Sequence, residues 1–326
     1  MRRREFITLL GGATAWPLAA RAQQPRRVGV LISLYAQTDR EGQASIAAFL
    51  DTFQRLGWVD GRNVRIEYRW SGGDAERAKN AAAELVRSAP DAIVVAGSPA
   101  LAELQRLTST APIVFTQVGD PVAAGYVANL ARPGGNVTGF QAFEPAMGGK
   151  WLGVLKEAVP NLSRAAVLFG SNSPPNVAYL RTAEAVAPSL GVALTPVDLV
   201  DSGAIERAVA DFASQPDGGL IVIPQLYTLA NRGSMIILAA RHRLPAIYPF
   251  RIFAAEGGLL SYGFDQIDSW RGAATYVDRI LRGEKPGDLP VQTPTKFELV
   301  VNLKTARALG LSVPPAFPLR ADEVIE

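Results

Sequence analysis

The chain of 326 residues has no cysteine and one histidine. The first absence removes disulfides, thiol nucleophiles and thiolate metal sites together. The second leaves His242 as the sole imidazole available to a nucleophilic triad. Set between Arg241 and Arg243 near a helix end, it reads as a capping group rather than a base. No G-x-S-x-G turn and no H-E-x-x-H pair occurs, so the common hydrolase and zinc-protease signatures are missing. Carboxylate pairs of the glycosidase kind form across a fold and leave no sequence signature. An exported cleft hydrolase is therefore the alternative carried beside a non-enzymatic reading. No cofactor and no metal is expected.

Long apolar runs are lacking too. The longest candidate, Ile7 to Ala19, is thinned by Gly11 and Gly12 and falls short of the ~20 residues that span a bilayer. It follows Arg2-Arg3-Arg4-Glu5-Phe6-Ile7, a pattern like the twin-arginine export signal. It ends at Ala20-Arg21-Ala22, an A-x-A cleavage site. Residues 1–22 are thus read as an export signal cleaved after Ala22, with a periplasmic destination. The surplus of positive charge also belongs to this segment. Of 33 basic and 30 acidic residues, four arginines and one glutamate lie within it, leaving 29 of each sign. A balanced chain has no basic stripe for a nucleic-acid backbone, so that partner is excluded. About 300 residues bury enough apolar surface without disulfides and exceed one typical core.

What is present is a near-continuous alternation of strand and helix patterns. Arg27–Leu34, Asn63–Trp70, Asp91–Ala96 and Ile113–Phe115 read as strands. Gly42–Leu56, Asp74–Arg87 and Pro99–Leu107 read as the helices between them. After Asp120-Pro121 a further helix is predicted over Val122–Leu130, stopped by Arg132-Pro133-Gly134-Gly135, with a strand at Asn136–Phe140. The theme then repeats through Tyr262, and Ile267–Leu281 reads as a helix. Strands separated by helices of this length imply parallel sheets covered on both faces. The expected fold is α/β, with two doubly wound parallel-sheet lobes joined by hinge crossovers. Residues 23–142 form the first lobe and 143–263 the second. Residues 264–326 cross back between them and in part complete the first.

In such sheets ligands bind beyond the carboxyl ends of the strands. The polar and aromatic residues at those ends are Ser33 and Tyr35, Ser98 with Pro99, Gln117, Asp120, Asn172, Gln225, Tyr227 and Tyr262. Ser98-Pro99, Asp120-Pro121 and Ser173-Pro174 each place a polar cap before proline, aiming a helix amino terminus where free amides can hold a carboxylate. On this reading Ser98 and the following amides take a ligand carboxylate, and Asp120 pairs with an ammonium. Asn172, Gln225 and Tyr262 engage from the second lobe on closure.

Four stretches carry a resemblance to a known family: Asp120-Pro121-Val122 with Leu130–Gly139, Ala239–Tyr248, Gly257–Gly263, and Pro294–Ala306. The chain resembles the proteobacterial ABC-transporter substrate-binding proteins whose characterised relatives bind tryptophan and other aromatic amino acids. The resemblance implies a two-lobed, three-crossover receptor of the type I periplasmic binding kind, and a monomer is expected. Such a receptor closes on a small molecule and delivers it to an ABC permease with a cytoplasmic ATPase. The chain departs from that family at Ser98, where threonine is expected, and at Pro224-Gln225-Leu226, where an acidic version is common.

Overall fold

The computed structural model describes residues 25–199 and 201–326; the export signal assigned to 1–22 lies outside them. Five strands form the first sheet. They are β1 (Arg26–Ile32), β2 (Val64–Trp70), β3 (Ala92–Ala96), β4 (Ile113–Val118) and β5 (Val137–Gln141), ordered β2-β1-β3-β4-β5 and parallel throughout. All but the edge strand β2 are buried along most of their length, as expected of parallel strands covered on both faces. The helices between them are α1 (Arg40–Arg55), α2 (Ala75–Arg87) and α3 (Ser98–Leu107). Alternate residues of β1 face opposite layers. Val28, Val30 and Ile32 pack with Phe49 and Phe53 of α1, and Leu31 packs with Leu85 of α2 and Leu104 of α3. Asp39 and Asp74 cap α1 and α2 by accepting from first-turn amides.

The second sheet is built from β6 (Arg164–Phe169), β7 (Ala193–Asp198), β8 (Gly218–Val222), β9 (Ala246–Tyr248), β10 (Leu260–Phe264), β11 (Phe297–Asn302) and β12 (Glu323–Ile325). Its order is β12-β11-β10-β9-β8-β6-β7, parallel except where β11 runs against β10. Around it lie α4 (Met147–Ala158), α5 (Pro174–Leu190), α6 (Ser202–Ala213), α7 (Leu226–Ala230), α8 (Arg232–Arg241) and α9 (Arg251–Ala255). α10 (Gln266–Leu281) and α11 (Leu303–Leu309) follow. The antiparallel β11 and its partner β12 depart from the purely parallel sheet expected, because the chain returns from the first lobe and enters this sheet at the end where β10 finishes.

The chain passes between the sheets three times. It leaves β5 for α4. It leaves β10 for α10, which packs on α1 and on β3, β4 and β5. It returns to β11 after Gln292, whose backbone bonds to Gly139 and Gln141 at the edge of β5. The contact of α10 with α1 is reinforced by Trp58 Nε1 donating to Asp278 Oδ1 at 2.8 Å.

One predicted element is absent. Val122–Leu130 forms successive turns, not a helix. The amide of Ala124 reaches Asp120 O, but Gly125 then turns to φ +75°, which ends α-helical propagation after one turn.

Candidate ligand-binding cleft

The carboxyl ends of the two sheets face each other across a cavity of about 480 Å³. That volume lies within the range of small-molecule sites. The first lobe contributes Leu34 after β1, Gly97 to Pro99 at the start of α3, and Gln117 with Gly119 at the end of β4. The second contributes Gly170 and Asn172 after β6, Asn176 and Tyr179 on α5, and Gln225 to Tyr227 after β8. No described residue lining the cavity is Asp, Glu, Lys, Arg or His. A buried net charge would lack a formal counter-charge there, and such burial is costly.

Two local backbone features set the first-lobe wall. Gly97 has φ +95°, and a Cβ on it would lie 2.9 Å from Ser33 Oγ, so glycine alone lets α3 start this close to β1. Gln117 has φ +56° at the point where the pairing of β4 with β5 slips register. A non-glycine residue held in this region marks a strained turn of the strand. Gln117 Nε2 donates to Gln266 Oε1 at 2.9 Å, and the Tyr35 hydroxyl donates to the same oxygen.

The second-lobe wall is rich in carboxamides. Asn176 Nδ2 donates to Gln225 Oε1 at 2.7 Å. Gln225 lies so close over Gly170 that a Cβ there would sit 2.3 Å from Oε1. α5 opens with Pro174-Pro175, neither of which has an amide proton, so its amino terminus offers fewer backbone donors than α3. Phe143, Tyr179 and Phe250 of this wall pack ring to ring with Trp151 and Phe264 behind it, with centroids 4.9 to 5.5 Å apart around Phe143. The Tyr179 hydroxyl donates to Phe143 O at 3.1 Å. Burial, helped by the charge of Asp120, pushes that hydroxyl above its ordinary pKa.

Six residues anticipated from sequence line the cavity: Ser98, Pro99, Gln117, Asn172, Gln225 and Tyr227. Four do not. Ser33 is 2% exposed and donates to Ala96 O beneath the floor. Tyr35 is equally buried and turned to Gln266; burial, then the charge of Glu41, raises its pKa. Asp120 Oδ1 accepts from Ala123 N at 3.0 Å, so the carboxylate caps its own turn. Tyr262 packs against the Phe297 ring, and its carbonyl accepts from Trp151 Nε1 at 2.7 Å. Asn176 and Tyr179 were missed. Their spacing of three on a helix that begins beside Asn172 places both on one face, and was the signal available.

At the cleft mouth Arg232 of the second lobe pairs with Asp39 of the first at 2.9 Å and with Glu256 at 2.9 Å. Glu41 lies nearby. Burial raises its carboxyl above the usual range against the opposing pull of Arg251.

Comparison with known proteins fits this architecture. A tyrosine-binding protein of Clostridioides difficile (strain R20291) is 23% identical over 264 residues, which is 81% of this chain and 75% of that protein. A conserved domain protein from Vibrio cholerae superimposes with a TM-score of 0.84 at 27% identity, covering 92% of this chain and 99% of the other. An ABC domain from Streptococcus pneumoniae in complex with L-Trp gives a TM-score of 0.84 at 24% identity, over 92% and 100%. The profile of the ABC transporter substrate binding proteins matches residues 39–325, and with two lobes, three crossovers and a cleft at the facing strand ends, the chain belongs to that family.

Proposed function

We propose that the protein is the extracytoplasmic receptor of an ABC importer for a small amino-acid-like ligand with a flat apolar side chain. Its lobes close on the ligand, and the closed form is what the permease reads. The observation that carries this reading is the composition of the cleft: apolar and aromatic walls, carboxamides and one amide-bearing helix terminus, with no carboxylate, ammonium, guanidinium or imidazole among the described lining residues. Such a site suits a ligand of zero net charge, including a zwitterion. The names of two relatives, which specify tyrosine and L-Trp, support an aromatic amino acid. Within this reading Ser98 and the free amides of α3 take the carboxylate. Asn172, Gln225 and Tyr227 engage from the second lobe, and closure stabilised by the ligand follows as a population shift.

We also propose export through the signal at residues 1–22, with the periplasm as destination and a monomer as the working form. A thermal-shift screen against the amino acids, aromatic acids and small carboxylates tests the ligand class, because binding to the folded form raises the melting temperature. Shifts with tryptophan, tyrosine or phenylalanine, and none with lysine or glutamate, are expected. Shifts confined to charged amino acids would defeat the proposal.

A further inference from the structure

We infer that Oε1 of Gln117 is the acceptor on which the cleft holds a hydrogen-bond donor of its ligand, the amine in an amino acid, and that Gln266 and Tyr35 set this polarity without lining the cavity. The inference rests on reading the cleft as an amino-acid site. Gln117 lines the cavity, is 8% exposed, and is held in a left-handed conformation at the slip in β4. Its Nε2 is already committed to Gln266 Oε1, which also accepts from the Tyr35 hydroxyl. An amide oxygen has two lone pairs, so Gln266 Oε1 can satisfy both donors.

That arrangement leaves two buried amide atoms of the trio without a partner, Gln117 Oε1 and Gln266 Nε2. Only Gln117 belongs to the cavity wall. Buried polar atoms left unpaired are rare and costly, and at a functional site they mark where a ligand completes the network. No carboxylate among the described lining residues competes for a ligand amine, and Asp120 is turned to its own Ala123 amide. Reversing both amides would instead present the Gln117 NH₂, a donor suited to a carboxylate. The two polarities predict opposite responses to the same substitution.

The test is titration calorimetry with L-tryptophan, L-phenylalanine and 3-phenylpropionate, the phenylalanine analogue without its amine, on the parent, Gln117→Glu and Gln117→Leu. Gln117→Leu is expected to weaken the amino acids by about tenfold or more while changing 3-phenylpropionate little. Gln117→Glu keeps the size and the acceptor, adds negative charge, and replaces the Nε2 donor by an oxygen to which Gln266 Nε2 can donate once its amide turns. It should hold or tighten the amino acids and weaken 3-phenylpropionate, and it preserves the test if the leucine variant folds poorly. Loss of amino-acid binding in Gln117→Glu would overturn the assignment. If the parent protein binds neither amino acid, the amino-acid reading itself fails. The polarity is then decided in ligand-free protein from side-chain amide NMR. Protected Gln117 NH₂ protons that shift in Tyr35→Phe and Gln266→Leu support it; freely exchanging, unshifted protons overturn it.

Discussion

The two walls of the cleft begin helices in nearly the same way and offer different chemistry. α3 opens Gly97-Ser98-Pro99-Ala100, keeping the amides of Ser98 and Ala100 among the orphan donors of its first turn. α5 opens Ser173-Pro174-Pro175-Asn176, so the donor equivalent to the Ser98 amide is missing and only that of Asn176 remains. The second lobe compensates with side-chain amides from Asn172, Asn176, Gln225 and Asn231. One lobe therefore presents a fixed, slightly positive backbone terminus, and the other a set of neutral groups that accept or donate. The lesson is that a helix start facing a cleft is not an anion site until its amides are counted.

The sharpest way to break this contrast is Gly170→Val. The added Cβ would drive Gln225 from its place beside Asn176. Loss of about a hundredfold in affinity by calorimetry is expected, since several contacts of the second wall move together. An unchanged affinity would show that this wall is not used.

The next effect comes from making the first wall resemble the second. Gly97 has ψ 143°, which suits a residue before proline, so Ser98→Pro fits the backbone while deleting an amide and a hydroxyl. Binding of L-phenylalanine should weaken about tenfold, that of L-phenylalaninamide much less. Equal losses would mean the α3 terminus does not hold the carboxylate.

Arg232→Ala removes the ion pair to Asp39 that bridges the lobes. Its carboxylate and guanidinium are only partly exposed, 11% and 19%, so a weakening of about fivefold is expected. Scattering should show a larger radius of gyration for ligand-free variant than for parent.

The smallest effect concerns Glu41. Burial first, with Asp39 adding to it, raises the carboxyl of this acid. A raised folded-state pKa contributes stability below the unfolded value and loses it as pH rises through the folded one. Glu41→Gln should thus melt like the parent below about pH 4.5 and slightly above it at neutral pH. A variant less stable at neutral pH would reverse the sign.

The parallel alternation was legible in sequence because buried parallel strands are continuous apolar runs and their helices carry caps such as Asp74. Val122–Leu130 misled because its composition favours a helix while Gly125 is used at positive φ, a choice composition does not reveal. At the site, the strand-end rule found Ser98, Gln117 and Gln225. It could not tell which of consecutive residues turns toward the cleft, so Ser33 and Tyr35 were assigned to the wall though both lie beneath it. Tyr179 and Asn176 escaped because they reach the cavity from a helix face rather than a strand end.

The position of α10 bears on how the chain folds. The face of the first sheet that it covers includes β3, β4 and β5, yet α10 lies more than a hundred residues later in the chain, beyond most of the second lobe. The second sheet likewise waits for β11 and β12 near the carboxyl end. The first core cannot close before α10 is made nor the second before β11 and β12 are, so folding is dominated by distant contacts and is correspondingly slow. A truncation before β11 would deprive the second sheet of two strands while leaving α10 in place.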